Sequence, residues 1–184
     1  MKKIIAVVGM CGSGKSEITK FFTDKGLSSI YFGGVTMEEL KKRGMPVNEK
    51  NEKSVREELR KNYGPAAFAI LLKDRILAEA EVNDTILDGL YSWQEYVYLK
   101  EALGDGLTIL AVVTNRQIRY DRLTGREIRP LTNESANARD IAEIENLYKG
   151  GPIAIADYYI LNNGNMDELN KALEGFLADI CSNQ

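Results

Sequence analysis

Eight consecutive residues near the start of the chain, GMCGSGKS from Gly9 to Ser16, combine three glycines with a lysine and two serines. They match the spacing G-x-x-x-x-G-K-[ST] at every fixed position. The glycines let the backbone curl so that successive N–H groups point at one spot, and a following helix adds its positive dipole end. Lys15 would neutralise the β- and γ-phosphates, and the Ser16 hydroxyl would bind Mg²⁺. The stretch predicts a triphosphate site with the nucleotide-binding residues Gly9, Gly12, Ser13, Gly14, Lys15, Ser16 and Glu17.

A short apolar stretch farther along the chain, TILDG, ends in an acidic residue, Asp88. A carboxylate at the end of a strand is typical of the second protein ligand that holds Mg²⁺ beside a phosphate loop. An aspartate that only begins a turn before Gly89 would have the same sequence. Because the phosphate-loop pattern is complete, we predict that Asp88 and Ser16 hold the metal.

Six arginines lie between residues 116 and 139. Those at 119, 122, 126 and 129 follow each other at steps of three or four, so they would share one helical face for as long as the segment stays helical. A basic stripe is often only a solvated surface. Four like charges nevertheless repel each other unless an anion neutralises them, and arginine suits multidentate phosphate contacts. We therefore predict a mobile lid, about residues 116–150, that closes arginines over the triphosphate and excludes water.

Apolar runs typical of strands alternate with helical patterns along the whole chain, which predicts an α/β fold. We expect a three-layer, doubly wound sheet of about five parallel strands, with an acceptor-side helical segment at about residues 34–82. The predicted strands are 4–8, 29–32, 85–89, 107–113 and 157–161. The predicted helices are 17–25, 36–43, 54–62, 66–81, 93–102, 117–126, 138–148 and 166–180. Ser92 is expected to cap its helix, residues 127–137 to be irregular, and GGP at 150–152 to break a helix.

The composition is that of an ordinary globular protein, with 44% apolar residues, 28% charged residues and a net charge of −3. A length of 184 residues fits one domain, 1–184. The charge gives no general attraction to nucleic acid or to an anionic membrane. The longest apolar run, Ile4–Val8, is too short to span a bilayer and no cleavage site follows it, so we expect a cytoplasmic protein.

The chain has no histidine and two cysteines, Cys11 and Cys181. The absence of histidine excludes Ser-His-Asp and Cys-His nucleophiles and every His-ligated zinc or iron site. The cysteines lie near opposite ends without metal-type spacing, which predicts free thiols in a reducing compartment. Any chemistry must therefore use carboxylates, lysine, arginine, backbone amides or a metal held by oxygen atoms.

The phosphate loop, TILDG, RYDRLTGR with the later ARD, and IADYYILNNG together resemble the nucleoside-monophosphate-kinase-like P-loop kinases over nearly the whole chain. Adenylate kinase and dephospho-coenzyme A kinase are especially similar. The resemblance implies that Arg122 stacks on the ATP adenine, that Arg126 reaches the phosphates, and that Arg139 swings onto the transferred phosphoryl group. It also implies that the turn Asn162–Gly164, with Asn163 inside it, borders the adenine, although an ordinary turn before a helix would have the same sequence.

The acceptor half departs from the family pattern. The arginines that hold the acceptor phosphate in adenylate-kinase-like proteins correspond here to Met37 and Tyr91. The carboxylate that takes a proton from the acceptor hydroxyl in dephospho-coenzyme A kinase would fall at Gly33–Gly34. A positioned base is worth roughly 10²- to 10⁴-fold to a hydroxyl nucleophile, whereas a phosphate acceptor is already an anion and needs cations instead. The missing base therefore favours a phosphate acceptor.

Two sets of basic residues could replace the missing arginines. They lie in the predicted acceptor-side helices: Lys41, Lys42 and Arg43, or Arg56 and Arg60. They could equally be exposed charges paired with Glu52, Glu57 and Glu58, so the sequence leaves both interpretations open.

Together these features predict a kinase, an ATP-dependent phosphotransferase that uses Mg²⁺ and acts on a small, nucleotide-like phosphate acceptor. The predicted catalytic residues are Lys15, Arg126 and Arg139. One alternative is a kinase similar to dephospho-coenzyme A kinase. Another is an ATP-binding protein or slow ATPase whose acceptor site has decayed. Neither nucleic acid nor a membrane is expected as a partner, and the oligomeric state is left open.

Overall fold

The computed structural model describes residues 2–127 and 130–182, and this part of the chain contains five strands and nine α-helices. In chain order the elements are β1 (Ile4–Val8), α1 (Lys15–Asp24), β2 (Ser28–Tyr31), α2 (Gly34–Lys42), α3 (Glu49–Tyr63), α4 (Ala67–Val82), β3 (Thr85–Asp88), α5 (Trp93–Leu103), β4 (Leu107–Val113), α6 (Arg116–Thr124), α7 (Asn133–Glu145), α8 (Gly150–Ala154), β5 (Tyr158–Leu161) and α9 (Met166–Ser182). No helix in the described part is both long and apolar enough to cross a membrane.

The described strands form one parallel sheet in the order β2-β3-β1-β4-β5. The register sets Asp88 at the end of β3 opposite Val7 of β1 and Tyr31 of β2. Because all strands run the same way, their carboxyl ends meet at one edge, and the loops that follow them lie together there. The prediction of a doubly wound α/β sheet with five parallel strands is confirmed.

Side chains of the central strand β1 alternate between two hydrophobic cores, one on each face of the sheet. Ile4, Ala6 and Val8 belong to the core formed with α2, α3, α4 and α5. Ile5 and Val7 belong to the core formed with α1 and α9. Every residue of β1 is at most 1% exposed, as expected for a parallel strand covered on both faces. The three layers therefore hold the end of β1 in a fixed position.

Two helices begin about one turn earlier than the sequence predicts, because polar caps start them. Asn48 Oδ1 accepts a hydrogen bond from the Asn51 N–H at 3.0 Å and begins α3 at Glu49. Thr132 Oγ1 accepts from the Ser135 N–H at 3.2 Å and begins α7 inside the stretch predicted to be irregular. Both first turns lack the apolar periodicity on which the prediction depended.

Two further boundaries matter for the site. Helix α6 ends at Thr124, two residues before the predicted end at 126, so Arg126 does not share a helical face with Arg119 and Arg122. The GGP stretch begins the short helix α8 and does not break one, since a proline in the first turn lacks only an N–H that has no intrahelical partner. The prediction of a break at GGP is wrong, while the Ser92 cap of α5 is confirmed.

Candidate functional site

The segment Gly9–Ser16 forms a tight loop between the end of β1 and the beginning of α1. The ends of β4 and β5 hold it from behind: the Ser13 carbonyl oxygen accepts hydrogen bonds from Asn162 Nδ2 at 2.8 Å and from Thr114 Oγ1 at 3.1 Å. Gly14 has a φ of 95°, and a Cβ there would lie 2.3 Å from Asn162 Nδ2. Only glycine fits this position. The loop is therefore fixed in the curled form that a phosphate-binding loop requires.

Lys15 is the first residue of α1 and folds back over the loop. Its Nζ donates to the carbonyl oxygens of Gly9 at 2.9 Å and Met10 at 3.1 Å. Burial, followed by the positive charge of Lys149, lowers the pKa of Lys15 to about 8. The ammonium group therefore lacks full electrostatic compensation from the protein, and an anion in front of the loop would supply it.

A cavity of about 790 Å³ opens in front of the loop. This volume lies in the upper part of the usual range for ligand pockets. Nine residues predicted from the sequence line it: Gly12, Gly14, Lys15, Ser16, Glu17, Asp88, Arg122, Arg126 and Arg139. The fold thus brings residues from four separate parts of the chain to one space.

Three predicted nucleotide-binding residues lie away from the cavity lining. Gly9 and Ser13 are buried inside the loop, and Ser13 is fully inaccessible. Asn163 is exposed, and its Oδ1 accepts a hydrogen bond from the Asn115 N–H at 2.8 Å. Its neighbour Asn162 is buried, lines the cavity and bonds the loop instead. Of the turn Asn162–Gly164, the structure thus brings Asn162 and Gly164 to the cavity, while Asn163 lies outside its lining.

Ser16 and Asp88 both line the cavity and supply the oxygen chemistry that suits Mg²⁺. Burial raises the pKa of Asp88, and the charge of Lys15 opposes that rise. Among the described residues, no group of three or more His, Cys, Asp or Glu could hold a metal. Magnesium in phosphate sites usually takes only one or two protein ligands and completes its shell with phosphate and water. The two side chains therefore fit a nucleotide-bound Mg²⁺.

Arg119 is not among the residues that line the cavity, and its charge is already neutralised within the protein. Its two terminal nitrogens form a buried bidentate pair with Asp140 at 2.8 and 2.6 Å, and Nη1 also donates to the Cys11 carbonyl at 3.0 Å. The carboxylate that neutralises Arg119 belongs to Asp140 in α7. Helical spacing within α6 gives no sign of this partner. The proposed repulsion among four arginines is therefore relieved at this position without a ligand.

Three other arginines do line the cavity. Nη1 of Arg122 is buried without a hydrogen-bond partner among the described residues, and Nη2 lies 3.5 Å from Asn162 Oδ1. A buried guanidinium nitrogen of this kind calls for an acceptor, which a ligand would provide. Arg126 is exposed just after α6, and Arg139 in α7 is half-exposed with its Nε 3.4 Å from Glu143 Oε1. Arg129 lies outside the described residues.

Among the cavity residues that sequence reasoning missed are two of opposite charge, Glu143 and Lys149. Lys149 is 2% exposed, and its Nζ donates to Glu143 Oε2 at 2.9 Å. The same carboxylate oxygen accepts the Cys11 N–H of the phosphate loop at 3.2 Å. Neither residue belongs to a recognisable motif, so only the folded chain shows that they meet the loop.

Two tyrosines, Tyr31 and Tyr91, also line the cavity. A Cβ at Gly33 would lie 2.3 Å from the Tyr31 ring, so this ring fills the space where the resemblance places a carboxylate. Tyr91 interacts with Tyr31: burial, followed by the charge of Tyr31, raises the Tyr91 pKa far above its ordinary value. Met37 packs against the hydrophobic core.

We name Tyr31, Tyr91, Glu143 and Lys149 the tyrosine wall, and the phosphate loop with Asp88 and Arg122 the loop wall.

The basic residues considered as substitutes for the missing arginines lie outside this cavity: Lys41, Lys42, Arg43, Arg56 and Arg60. Arg43 pairs with Glu39 and Glu58 at 2.7 Å. Arg56 pairs with Glu52 at 3.3 Å. For Arg43 and Arg56 these contacts favour the alternative that they are charges paired with neighbouring glutamates, while Arg60 lies 5.1 Å from the centre of the Phe68 ring.

A parallel sheet in this order, with a phosphate loop after its central strand and a cavity at its carboxyl edge, defines a kinase-type P-loop fold. A family model described as an AAA domain matches residues 5–143. UPF0200 protein TK1334 of Thermococcus kodakarensis is 34% identical over 183 residues, 97% of this chain and 98% of the relative. UPF0200 protein PH1008 of Pyrococcus horikoshii is 33% identical over 184 residues, 98% of each. The chain therefore belongs to the AAA-domain family and, with these relatives, to the UPF0200 proteins.

Solved structures with the same fold include several small-molecule kinases. TT1252 from Thermus thermophilus aligns with a TM-score of 0.66 at 20% identity and 97% coverage of both chains. Shikimate kinase from Acinetobacter baumannii aligns with a TM-score of 0.59 at 16% identity, covering 100% of this chain and 96% of that one. Dephospho-CoA kinase from Campylobacter jejuni aligns with a TM-score of 0.57 at 15% identity and 97% coverage of both. At these identities the likeness concerns the fold alone.

Proposed function

We propose that the protein is an ATP-dependent kinase that transfers the γ-phosphoryl group to a small acceptor bearing a phosphate, similar to a nucleoside monophosphate. The observation that carries this proposal is a cavity of about 790 Å³ shared by the loop wall and the tyrosine wall. The loop wall suits the triphosphate of ATP, and the tyrosine wall lines the same cavity with a second set of polar groups. That arrangement supports a transfer between two ligands.

On the loop wall, Lys15 would neutralise charge on the β- and γ-phosphates as the phosphoryl group moves. Arg122 would contact the nucleobase. Arg126 and Arg139 would clamp the phosphates, since both side chains line the same space. Ser16 and Asp88 would hold Mg²⁺, which supplies charge neutralisation at the phosphates. Catalysis of this kind depends on positioning and electrostatics, and needs no nucleophile from the protein.

The tyrosine wall supports a phosphate acceptor over a hydroxyl acceptor. A hydroxyl nucleophile gains most from a base whose pKa lies near the working pH. Glu143 is the carboxylate of this wall, and although burial favours its neutral form, the charges of Lys149 and Arg139 lower its pKa. Such a carboxylate is a weak base, whereas a phosphate acceptor already carries the charge needed for attack.

A coupled assay of ADP release with MgATP would test the proposal. We expect release that depends on a nucleoside monophosphate and is absent with nucleosides. If ADP is released only with dephospho-coenzyme A as the acceptor, the protein is instead a kinase similar to dephospho-coenzyme A kinase. If no ADP is released under any condition, the proposal is contradicted.

A second candidate is an ATP-binding protein or slow ATPase. It is favoured by Met37 and Tyr91, which stand where related kinases hold the acceptor phosphate with arginine, and by the packing of Met37 into the core. This candidate predicts ATP binding and slow ADP release that no acceptor accelerates.

A further inference from the structure

Two lysines from distant parts of the sequence reach the same cavity, Lys15 from the phosphate loop and Lys149 from the residue before α8. Lysine is rarely buried, because an ammonium group loses its hydration inside a protein. Lys149 is nevertheless only 2% exposed, and its charge is close enough to Lys15 to lower the pKa of that residue. Like charges brought together in a partly enclosed space are stabilised by an anion between them.

The backbone around Lys149 is held in an unusual conformation. Tyr148 is the one non-glycine residue with positive φ, 51°, in the part of the chain that the structure describes. This conformation is unfavourable for a residue with a Cβ. The Lys149 N–H then donates to the Glu143 carbonyl oxygen at 3.1 Å, while its Nζ donates to the Glu143 carboxylate. Backbone and side chain thus fix the direction in which this lysine enters the cavity.

The ammonium group of Lys149 lies beside the ring of Tyr91. Nζ lies 5.2 Å from the centre of the Tyr91 ring, within the range of a cation–π interaction. Tyr91 occupies the position where the family resemblance expects an arginine that holds the acceptor phosphate. Lys149 therefore brings a positive charge, from another part of the chain, to the region where that arginine is missing.

Glu143 orients this charge without removing it. One carboxylate accepts from Lys149, from Arg139 and from the Cys11 N–H, so two cations share one anion. An ammonium group has three N–H donors, and a lysine that donates to Glu143 can donate to a phosphate as well. We propose that Lys149 binds the phosphate of the acceptor, an inference that rests on the kinase function proposed above.

The test uses inorganic phosphate as the probe and keeps the phosphate loop occupied. Calorimetry is performed on the full chain saturated with Mg²⁺ and the non-hydrolysable β,γ-imido analogue of ATP. We expect wild-type protein to bind phosphate and K149M to bind it at least about tenfold more weakly, the loss of one charged hydrogen bond. The affinity for the ATP analogue should stay within about twofold, and K149R should retain most of the phosphate binding.

Two controls separate the role of Lys149 from general effects. K25M removes another ion-paired lysine, bonded to Glu174 at 2.5 Å and outside the cavity, and should change neither affinity. If K149M fails to fold because Glu143 loses its partner, the double variant E143Q/K149M removes both charges and should fold while binding phosphate weakly.

The outcomes distinguish two failures. If the wild type binds the ATP analogue but binds no phosphate, or if the variants bind phosphate as well as the wild type, the assignment of Lys149 is overturned and the kinase proposal stands. If the wild type does not bind the ATP analogue, the kinase proposal and the Lys149 assignment are both overturned.

Discussion

The loop wall and the tyrosine wall face the same cavity but are built in different ways. The loop wall is formed chiefly by consecutive residues, Gly9–Ser16, whose backbone is fixed by hydrogen bonds from Thr114 and Asn162. The tyrosine wall is formed by side chains from four separate places in the chain. The loop wall can bind the polyphosphate of any nucleotide, because it contacts features that all nucleotides share. Residues of the tyrosine wall can be substituted one at a time, so specificity for the acceptor is expected to reside there.

The largest effect is expected from Lys15→Ala, which tests the role of the loop wall in phosphoryl transfer. We expect the rate of ADP release from MgATP to fall about 10³-fold, because the developing phosphate charge loses its nearest cation. Lys20→Ala is the matched control, since Lys20 lies in the same helix and is exposed beside Asp24, and its rate should equal that of the wild type. A Lys15→Ala variant with normal turnover would remove the basis for the loop wall.

Arg119 tests the support behind the loop wall. Arg119→Ala leaves Asp140 buried without its bidentate partner, so the free energy of unfolding should fall by about 3 kcal/mol in a urea titration. Arg75→Ala removes an exposed arginine paired with Glu38 at 3.4 Å and should cost less than about 0.5 kcal/mol. Equal effects of the two substitutions would show that the buried pair does not anchor α6 to α7.

Arg122 tests whether the loop wall also contacts the nucleobase. Arg122→Ala should raise the dissociation constant for ATP about tenfold, the loss of one contact to a charged or stacked group. If Arg122 stacks on adenine, binding of inorganic tripolyphosphate should change much less than binding of ATP. An unaltered affinity for ATP would refute a role for this arginine.

The pH dependence of ATP binding links the two walls. Burial and Lys149 lower the pKa of Lys15 to about 8, and only the protonated ammonium attracts phosphate. The affinity for ATP should therefore fall about tenfold between pH 7 and pH 9, as the Lys15 proton is lost. In K149M the repelling charge is absent, the Lys15 pKa rises, and the decline should move to higher pH. The same profile in both proteins would show that the two lysines do not interact.

The smallest effect is expected from Tyr31→Phe. This change removes the hydroxyl that interacts with Tyr91 on the tyrosine wall, while the exposed ring remains. The affinity for ATP should change by less than about twofold, and the free energy of unfolding by less than about 0.5 kcal/mol. A loss of ATP affinity as large as that of Arg122→Ala would mean that the two walls are not separate binding surfaces.

Most of the fold could be predicted because its signals are local. Strands β1 and β4 are continuous apolar runs, and Ser92 with Glu95 forms the capping box that begins α5. The beginning of α3 was missed because its first turn is entirely polar, and it is stabilised by the Asn48 cap and by charge pairs such as Arg56 with Glu49. Such contacts carry no hydrophobic periodicity.

The candidate site divides in the same way. Most of the loop wall could be predicted because Gly9–Ser16 are consecutive in the sequence. Their spacing matches a pattern whose glycines, lysine and serine each have a known role in binding phosphate. The neutralisation of Arg119 by Asp140, 21 residues away, could not be predicted from helical spacing. Lys149 and Glu143 belong to no motif in the sequence, and only tertiary packing brings them next to Cys11.

The hydrogen bond from Asn162 to the Ser13 carbonyl joins residues 149 positions apart. During synthesis from the amino end, the segment that contains Ser13 leaves the ribosome long before its clamp is made. Contacts of such large separation form late, because the intervening chain must lose its freedom first. Nascent chains that end before β5 should therefore bind nucleotide poorly, because the hydrogen bond that holds the loop in its curled form has not yet been made.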